Sequence, residues 1–119
     1  MCVIFIWEKM KNKIYKICDF KEWEIAAKKG VFYGSKIDLS DGFIHFSTKD
    51  QLKTTARKHF KGQKNLVLIE VDALTLPLKW EPSRGGDLFP HLYVKWKLSG
   101  LEKTWRLSLD ENDIPLIPI

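Results

Sequence analysis

An α+β fold, a twisted sheet with two helices gathered toward its N-terminal half, is what this sequence predicts. Three observations carry that expectation. Short β-prone runs recur along the chain. Two amphipathic stretches with start and stop signals lie near its first half. The order is strand, helix, loop, strand, helix, then mainly strands. With 119 residues, 45% of them hydrophobic, the chain reads as one domain able to fill a core without metals or disulfides.

Residues 1–12 read as an N-terminal extension and 13–119 as the domain. Met10 is the expected natural start, and an added edge strand is the alternative role for residues 1–9. The apolar run from Met1 to Trp7 is far shorter than the ~20 residues of a membrane span, and it lacks the flanks of a signal peptide. Ile14 to Cys18 alternates and predicts a strand. Asp19 caps a helix over 20–29, with Glu22 at capping-box spacing, Phe20, Trp23 and Ala27 on one face, and Gly30 as the stop. Residues 31–42 carry turn signals and predict a loop. Residues 43–47 predict a short strand. Thr48, with Gln51 three residues on, caps a second helix whose apolar stripe is Leu52, Ala56 and Phe60 and whose end is Gly62.

Leu66 to Asp72 is the strongest strand and predicts a buried, central one. Further strands are expected at 78–81, 92–98 and 101–109, the last two joined by a Ser99-Gly100 turn. The tail, with Pro115 and Pro118, cannot be a central strand because proline lacks the amide donor.

Composition narrows the function classes. Cys2 and Cys18 form neither a disulfide framework nor a zinc motif, so a reducing, cytoplasmic setting is expected. The net charge of +5 comes from 17 lysines and 3 arginines, and the lysines are scattered. Scattered lysine gives solubility and weak attraction to polyanions, not the arginine forks of specific nucleic-acid readers. Lys53, Arg57 and Lys61 share a helical face that reads as solvated surface. Walker, dinucleotide and nucleophile-elbow motifs are all absent.

Two segments hold most of the residues suited to chemistry. In 43–47, alternation puts His45 and Ser47 on the face opposite Ile44 and Phe46, just before a helix N-terminus that favours an anion. The competing reading makes Ser47-Thr48 a cap and His45 a solvated strand residue. In 80–93, Arg84 is an exception in a lysine-using chain, and its planar fork suits carboxylate or phosphate. A bidentate contact is expected with Asp87, Glu81 or an anionic ligand. Gly85-Gly86 lets a backbone approach a ligand, Asp87 pairs with Arg84 or orients a histidine, and Phe89-Pro90 is open to either peptide isomer. The bland alternative is an ordered surface loop. His59 reads as a core-edge packing residue. His45, His91 and Asp87 lack a metal-ligand spacing, so neither a metal nor a cofactor is called for.

Ile14-Tyr15-Lys16-Ile17, Trp23, Gly34-Ser35, the run Asp41 to Thr48 and the run Trp80 to Tyr93 together resemble the small bacterial family known as domain of unknown function 952. The resemblance covers about residues 14–110. It implies a fold similar to the ADP-ribosylating enzymes, a curved, split sheet around a nicotinamide-nucleotide cleft. Those enzymes line the cleft with an Arg or His on the first strand, a His- or hydroxyl-bearing strand, and usually a later catalytic Glu. RNA 2′-phosphotransferases of that fold carry a His-x-His-x-Ser strand, and Phe43-Ile44-His45-Phe46-Ser47 is similar to its second half. This chain departs from the pattern: the first strand shows Tyr15-Lys16, and Glu70, Glu81 and Glu102 lack the local motif of the catalytic Glu.

The functional expectation is a domain that binds a small anionic or nucleotide-like ligand, with transferase-like chemistry if it is an enzyme. His45 is the acid/base candidate, with Ser47 beside it. Thr48, Glu81, Ser83, Arg84, Asp87, His91 and Tyr93 are the binding candidates, and Arg84 is the anion clamp. A non-catalytic interaction module built on loop 80–93 is the alternative, and a weak RNA binder the third. A deep cleft beside His45 would favour the first of these; a flat aromatic patch would favour the second.

Overall fold

A computed structural model describes residues 12–119; the expectations about Met10 and the apolar start lie outside the described residues, as does the side chain of Arg84. The centre of the fold is an antiparallel sheet of strands β1 (Lys13–Asp19), β4 (Leu66–Asp72) and β8 (Lys103–Leu107), in the order β1-β4-β8. The register pairs Lys13 with Asp72 and Asp19 with Leu66 on one side, and Leu66 with Leu107 on the other. Leu66, Val67, Leu68 and Ile69 are buried because β4 is covered on both faces, which is why it reads as a continuous apolar run. Asn12 O accepts from Ala73 N–H at 2.6 Å.

The two faces of this sheet hold two cores. Ile14, Cys18, Val67, Ile69 and Val71 meet Trp23, Ala26, Phe32, Ile44, Phe46, Leu92 and Trp96. Tyr15, Ile17, Leu66 and Leu68 meet Leu52 and Ala56, with Phe60, Trp105, Ile117 and Ile119 at the edge. The period-2 split is the pleat of the strands. Lys16 lies between Ile14 and Cys18 on the first of these faces and is itself buried.

Helix α1 (Phe20–Lys29) begins where expected: Asp19 accepts from Lys21 and Glu22 amides, and Gly30 closes it in the left-handed region at φ 78°. Its buried face is Trp23 and Ala26 rather than Ala27, which is exposed. The expected loop 31–42 is instead strand β2 (Val31–Phe32) followed by helix α2 (Lys36–Asp41). Ser35 caps α2 reciprocally: Asp38 Oδ2 accepts from Ser35 N–H at 2.8 Å, and Ser35 Oγ accepts from Asp38 N–H. A six-residue helix has too few turns to show a period, so only its caps betray it.

Strand β3 is only Ile44–His45. Beyond it Phe46 N–H donates to Pro90 O, and Ser47 exchanges two backbone bonds with Tyr15, each 2.8 Å. A 3₁₀ turn (Lys49–Gln51) leads into helix α3 (Leu52–His59), with Gln51 Oε1 accepting from Thr48 N–H. Lys53, Arg57 and Lys61 are solvated, as expected, while His59 is exposed rather than packed at the core edge. The expected loop 80–93 is a hairpin: β5 (Leu78–Pro82) and β6 (Leu88–Leu92) pair from Leu78–Leu92 to Pro82–Leu88, with a short 3₁₀ turn at Arg84–Gly86. Proline and glycine signals suggested a loop, but the pairing partners lie across the hairpin. The described residues contain no cis peptide, Phe89–Pro90 included.

The second sheet therefore runs β3-β6-β5, and the Tyr15–Ser47 bridge joins it to the first. The expected strand 92–98 is broken. Its second part, β7 (Trp96–Lys97), pairs with β2, so Ser99-Gly100 does not form a hairpin with β8. The tail forms no central strand; a Leu109–Pro115 bridge folds it back.

Candidate functional site

The β3-β6 pair places His45 directly opposite His91. Ile44 and Leu92 enter the core, so pleating turns both imidazoles to the other face. Asp38 supports the His45 ring from α2. This carboxylate is 1% exposed, and all its lone pairs are used. Oδ1 accepts from His45 N–H at 3.1 Å and lies 2.6 Å from His45 Nδ1; Oδ2 accepts from Ser35 N–H and from Lys16 Nζ, each at 2.8 Å. Lys16 Nζ also donates to His45 O at 2.9 Å. A closed circuit of Lys16, Asp38 and His45 results.

Burial works against the Asp38 charge, but the His45 hydrogen bond, the Lys16 ammonium and the Ser35 amide outweigh it and hold the carboxyl well below its usual range. An ionised carboxylate only accepts, so Nδ1 of His45 carries a proton. Nε2 of the same ring faces Asp41 Oδ2 at 3.0 Å, from the exposed end of α2. Gly34 makes room for the assembly: at φ +132°, a Cβ there would come within 2.8 Å of Asp38 Cβ.

His91 is built in parallel. Its ring is nearly buried, and Nδ1 lies 2.8 Å from Glu81 Oε1; the Tyr93 hydroxyl donates to the same oxygen at 2.6 Å. Those bonds, Tyr93 first and His91 second, pull the Glu81 carboxyl down, and Glu81 in turn pushes the Tyr93 hydroxyl up. Phe43 knits the face together, its ring centroid 4.5 Å from His45, 4.2 Å from His91 and 5.1 Å from Tyr93. The two imidazoles are 5.6 Å apart at 71°. Lys79 stands over the Tyr93 ring at 5.5 Å. Two partly shielded histidines, each with Nδ1 on a carboxylate, can exchange protons with a bound molecule.

The other expected site residues are placed differently. Ser47 is buried and its Oγ lies 3.1 Å from Thr55 Oγ1, so its hydroxyl serves α3 rather than His45. The reason is that the chain leaves β6 after Phe46, whose N–H still donates to Pro90 O, and Ser47 pairs with Tyr15 instead. Thr48 is engaged with Gln51, which also donates to Leu88 O at 2.8 Å. Ser83, Arg84 and Asp87 sit at the hairpin turn. His91 and Asp87 are four strand residues apart, roughly 13 Å at ~3.3 Å per residue. Asp87 thus does not orient His91; Glu81 does. Asp87 lines a separate cavity of about 220 Å³ with Asp50, Gln51, Thr54, Lys58, Gly85 and Phe89. The expected bidentate contact of Arg84 falls on a side chain outside the described residues.

Sequence reasoning missed Lys16, Asp38, Asp41 and Phe43. Two signals were available: Ser35-x-x-Asp38 at capping-box spacing, and Lys16 between two core residues of an alternating strand. The groove beside Phe43 measures about 180 Å³ and does not have His45 in its lining; it is a shallow aromatic hollow, closer to the feature expected of the interaction-module alternative than to the deep cleft expected of a ligand site. Among the described residues no group of three or more His, Cys, Asp or Glu is placed to hold a metal. Also among them, no helix is long and apolar enough to cross a membrane.

The family described as Protein of unknown function (DUF952) matches residues 17–104, a span that includes Asp38, Phe43, His45, Glu81, His91 and Tyr93. The crystal structure of protein CC0527 from Caulobacter crescentus is similar, with 48% identity and a TM-score of 0.83, over 87% of this chain and 93% of that one. The solution NMR structure of CC0527 has a TM-score of 0.76 at 47% identity, over 87% and 91%. No curated protein matches the chain.

Proposed function

The chain belongs to the DUF952 family of proteins of unknown function, and for it we propose a small-ligand-binding role with acid–base capability, centred on the paired imidazoles of His45 and His91. The observation that carries this is the buried Lys16–Asp38 pair behind a ring whose side chain is 35% exposed. Burying two charges costs several kcal/mol per ion, and an apolar pair would serve stability as well or better. What the ion pair supplies is orientation: it fixes the His45 tautomer and holds the ring toward solvent. A small anionic or nucleotide-like molecule is the proposed ligand, because the Lys79 ammonium and His91 Nε2 are left without a carboxylate partner among the described residues, whereas both Nδ1 atoms and His45 Nε2 face carboxylates. The cytoplasm is the proposed setting, since the Cys18 thiol is free, as thiols are in a reducing compartment.

A thermal-shift screen with nucleotides and phosphorylated metabolites tests the proposal. A ligand at 100 times its Kd stabilises by about 2.7 kcal/mol. The shift should vanish in His45→Gln. A ligand whose shift is the same in wild type, His45→Gln and His91→Gln would sink the assignment.

A transferase-like reaction of the ADP-ribosylating kind is the second proposal. It rests on the similarity of Phe43-Ile44-His45-Phe46-Ser47 to the second half of the His-x-His-x-Ser strand and on the division of the strands into two three-stranded sheets, a fold-level analogy. Nicotinamide release from NAD is its assay, and an inert protein would remove it.

A further inference from the structure

We propose that the hollow beside Phe43 is a ring-binding subsite that seats the planar aromatic or heteroaromatic ring of a ligand that also carries an acidic group. The inference rests on the acid–base role of His45 and His91 and names the part of the ligand that their own face does not hold.

Exposed apolar side chains are scattered singly on most surfaces, and a cluster of them rimming a cavity marks a binding site. Here Tyr33, Leu39, Tyr93 and Val94, exposed by 60, 64, 49 and 54%, all line one hollow, with Phe43 as its wall on the histidine side. Three of the five are aromatic. Flat side chains around a narrow space favour a flat guest, held by stacking and edge contacts. The volume, about 180 Å³, is below the roughly 300–1,000 Å³ of sites that enclose a whole drug-sized ligand, so the hollow takes one ring and leaves the rest of the molecule outside.

Charge selects the substituent. Lys95 lines the hollow, and among the described residues its ammonium has no partner. The only acid in the lining is Asp38, whose oxygens are committed to Lys16, Ser35 and His45. An unopposed cation at an aromatic slot fits a ring with a carboxylate or phosphate attached. Because Phe43 touches both the hollow and the imidazoles, a ring lying against its outer side brings the remainder of the ligand toward His45 and His91.

Three probes separate the contributions: AMP carries ring and anion, adenosine the ring alone, and ribose 5-phosphate the anion alone. NMR titrations follow backbone amides of Tyr33, Tyr93 and Lys95 together with the histidine ring nitrogens. AMP should bind best and move all of these signals. Tyr33→Ala should weaken AMP roughly 10-fold, from the worth of a base stacked on an aromatic side chain. Lys95→Ala should weaken AMP while leaving adenosine unchanged. Both positions are exposed, so the variants keep the fold, which their amide spectra verify. Responses at Tyr33, Tyr93 and Lys95 without any at His45 or His91 uphold the subsite and defeat the acid–base role. Histidine responses with AMP affinity unchanged in both variants overturn the subsite and leave the acid–base role standing. Ribose 5-phosphate binding as tightly as AMP, or no response to any of the three probes, also overturns it.

Discussion

Replacing Asp38 by Asn tests the buried circuit most severely. The substitution keeps the size but removes the charge and turns one accepting oxygen into an NH2 donor, leaving the Lys16 ammonium, 5% exposed, without a counter-ion. Breaking a buried pair from one side costs about 3–5 kcal/mol, because the surviving charge stays desolvated. For a domain of this size 1 kcal/mol corresponds to about 4 °C, so the melting temperature should fall by about 12–20 °C. Lys16→Met should fall comparably. The double variant Lys16→Met, Asp38→Asn should recover much of the loss, since no lone buried charge remains. Circular dichroism melts of the four proteins provide the cycle. If Asp38→Asn melts within about 3 °C of wild type, or if the double variant loses the sum of the singles, the circuit is not the electrostatic unit described above.

Three further outcomes are expected. Asp38 is held below its usual range in the fold, so as pH falls below the ordinary carboxyl value of about 3.9 the unfolded chain takes up the proton first and stability is lost; melts between about pH 5 and 2 should slope less steeply in Asp38→Asn than in wild type. Gly34→Ala should cost about 1–3 kcal/mol by denaturant unfolding, because the residue sits at φ +132° and its new Cβ would meet Asp38; an unchanged midpoint would show that the loop yields freely. A chain beginning at Met10 should melt within about 4 °C of the full chain, the shift from ~1 kcal/mol, whereas failure to fold would make residues 1–9 integral.

What the sequence reveals here is mostly what is local. The alternation of β1, the Asp19 and Gly30 caps of α1 and the apolar run of β4 need no partner to be recognised, and all three stand where expected. The hairpin of β5 and β6 was hidden because Gly85-Gly86 and Pro90 are loop signals until their cross-strand neighbours are known. Helix α2 was hidden by its shortness. In the site, His45 and His91 were legible as histidines on ordered segments, but their carboxylates were not all so. Asp38 and Lys16 meet across 22 positions of sequence, and nothing local predicts that encounter. Ser47 failed for a related reason: alternation assumes one continuous strand, and the chain changes partner from β6 to β1 between Phe46 and Ser47.

The proposed function requires His45 and His91 to form one ligand-responsive face. The most direct measurement is a long-range proton–nitrogen spectrum of the imidazole rings, recorded free and with saturating AMP. A protonated Nδ1 is expected on both rings in the free protein, held by Asp38 and Glu81, with a change at Nε2 of both rings on ligand addition. Free-protein spectra showing an unprotonated Nδ1 on His45, or ring signals of both histidines that do not move under saturating AMP, would contradict it.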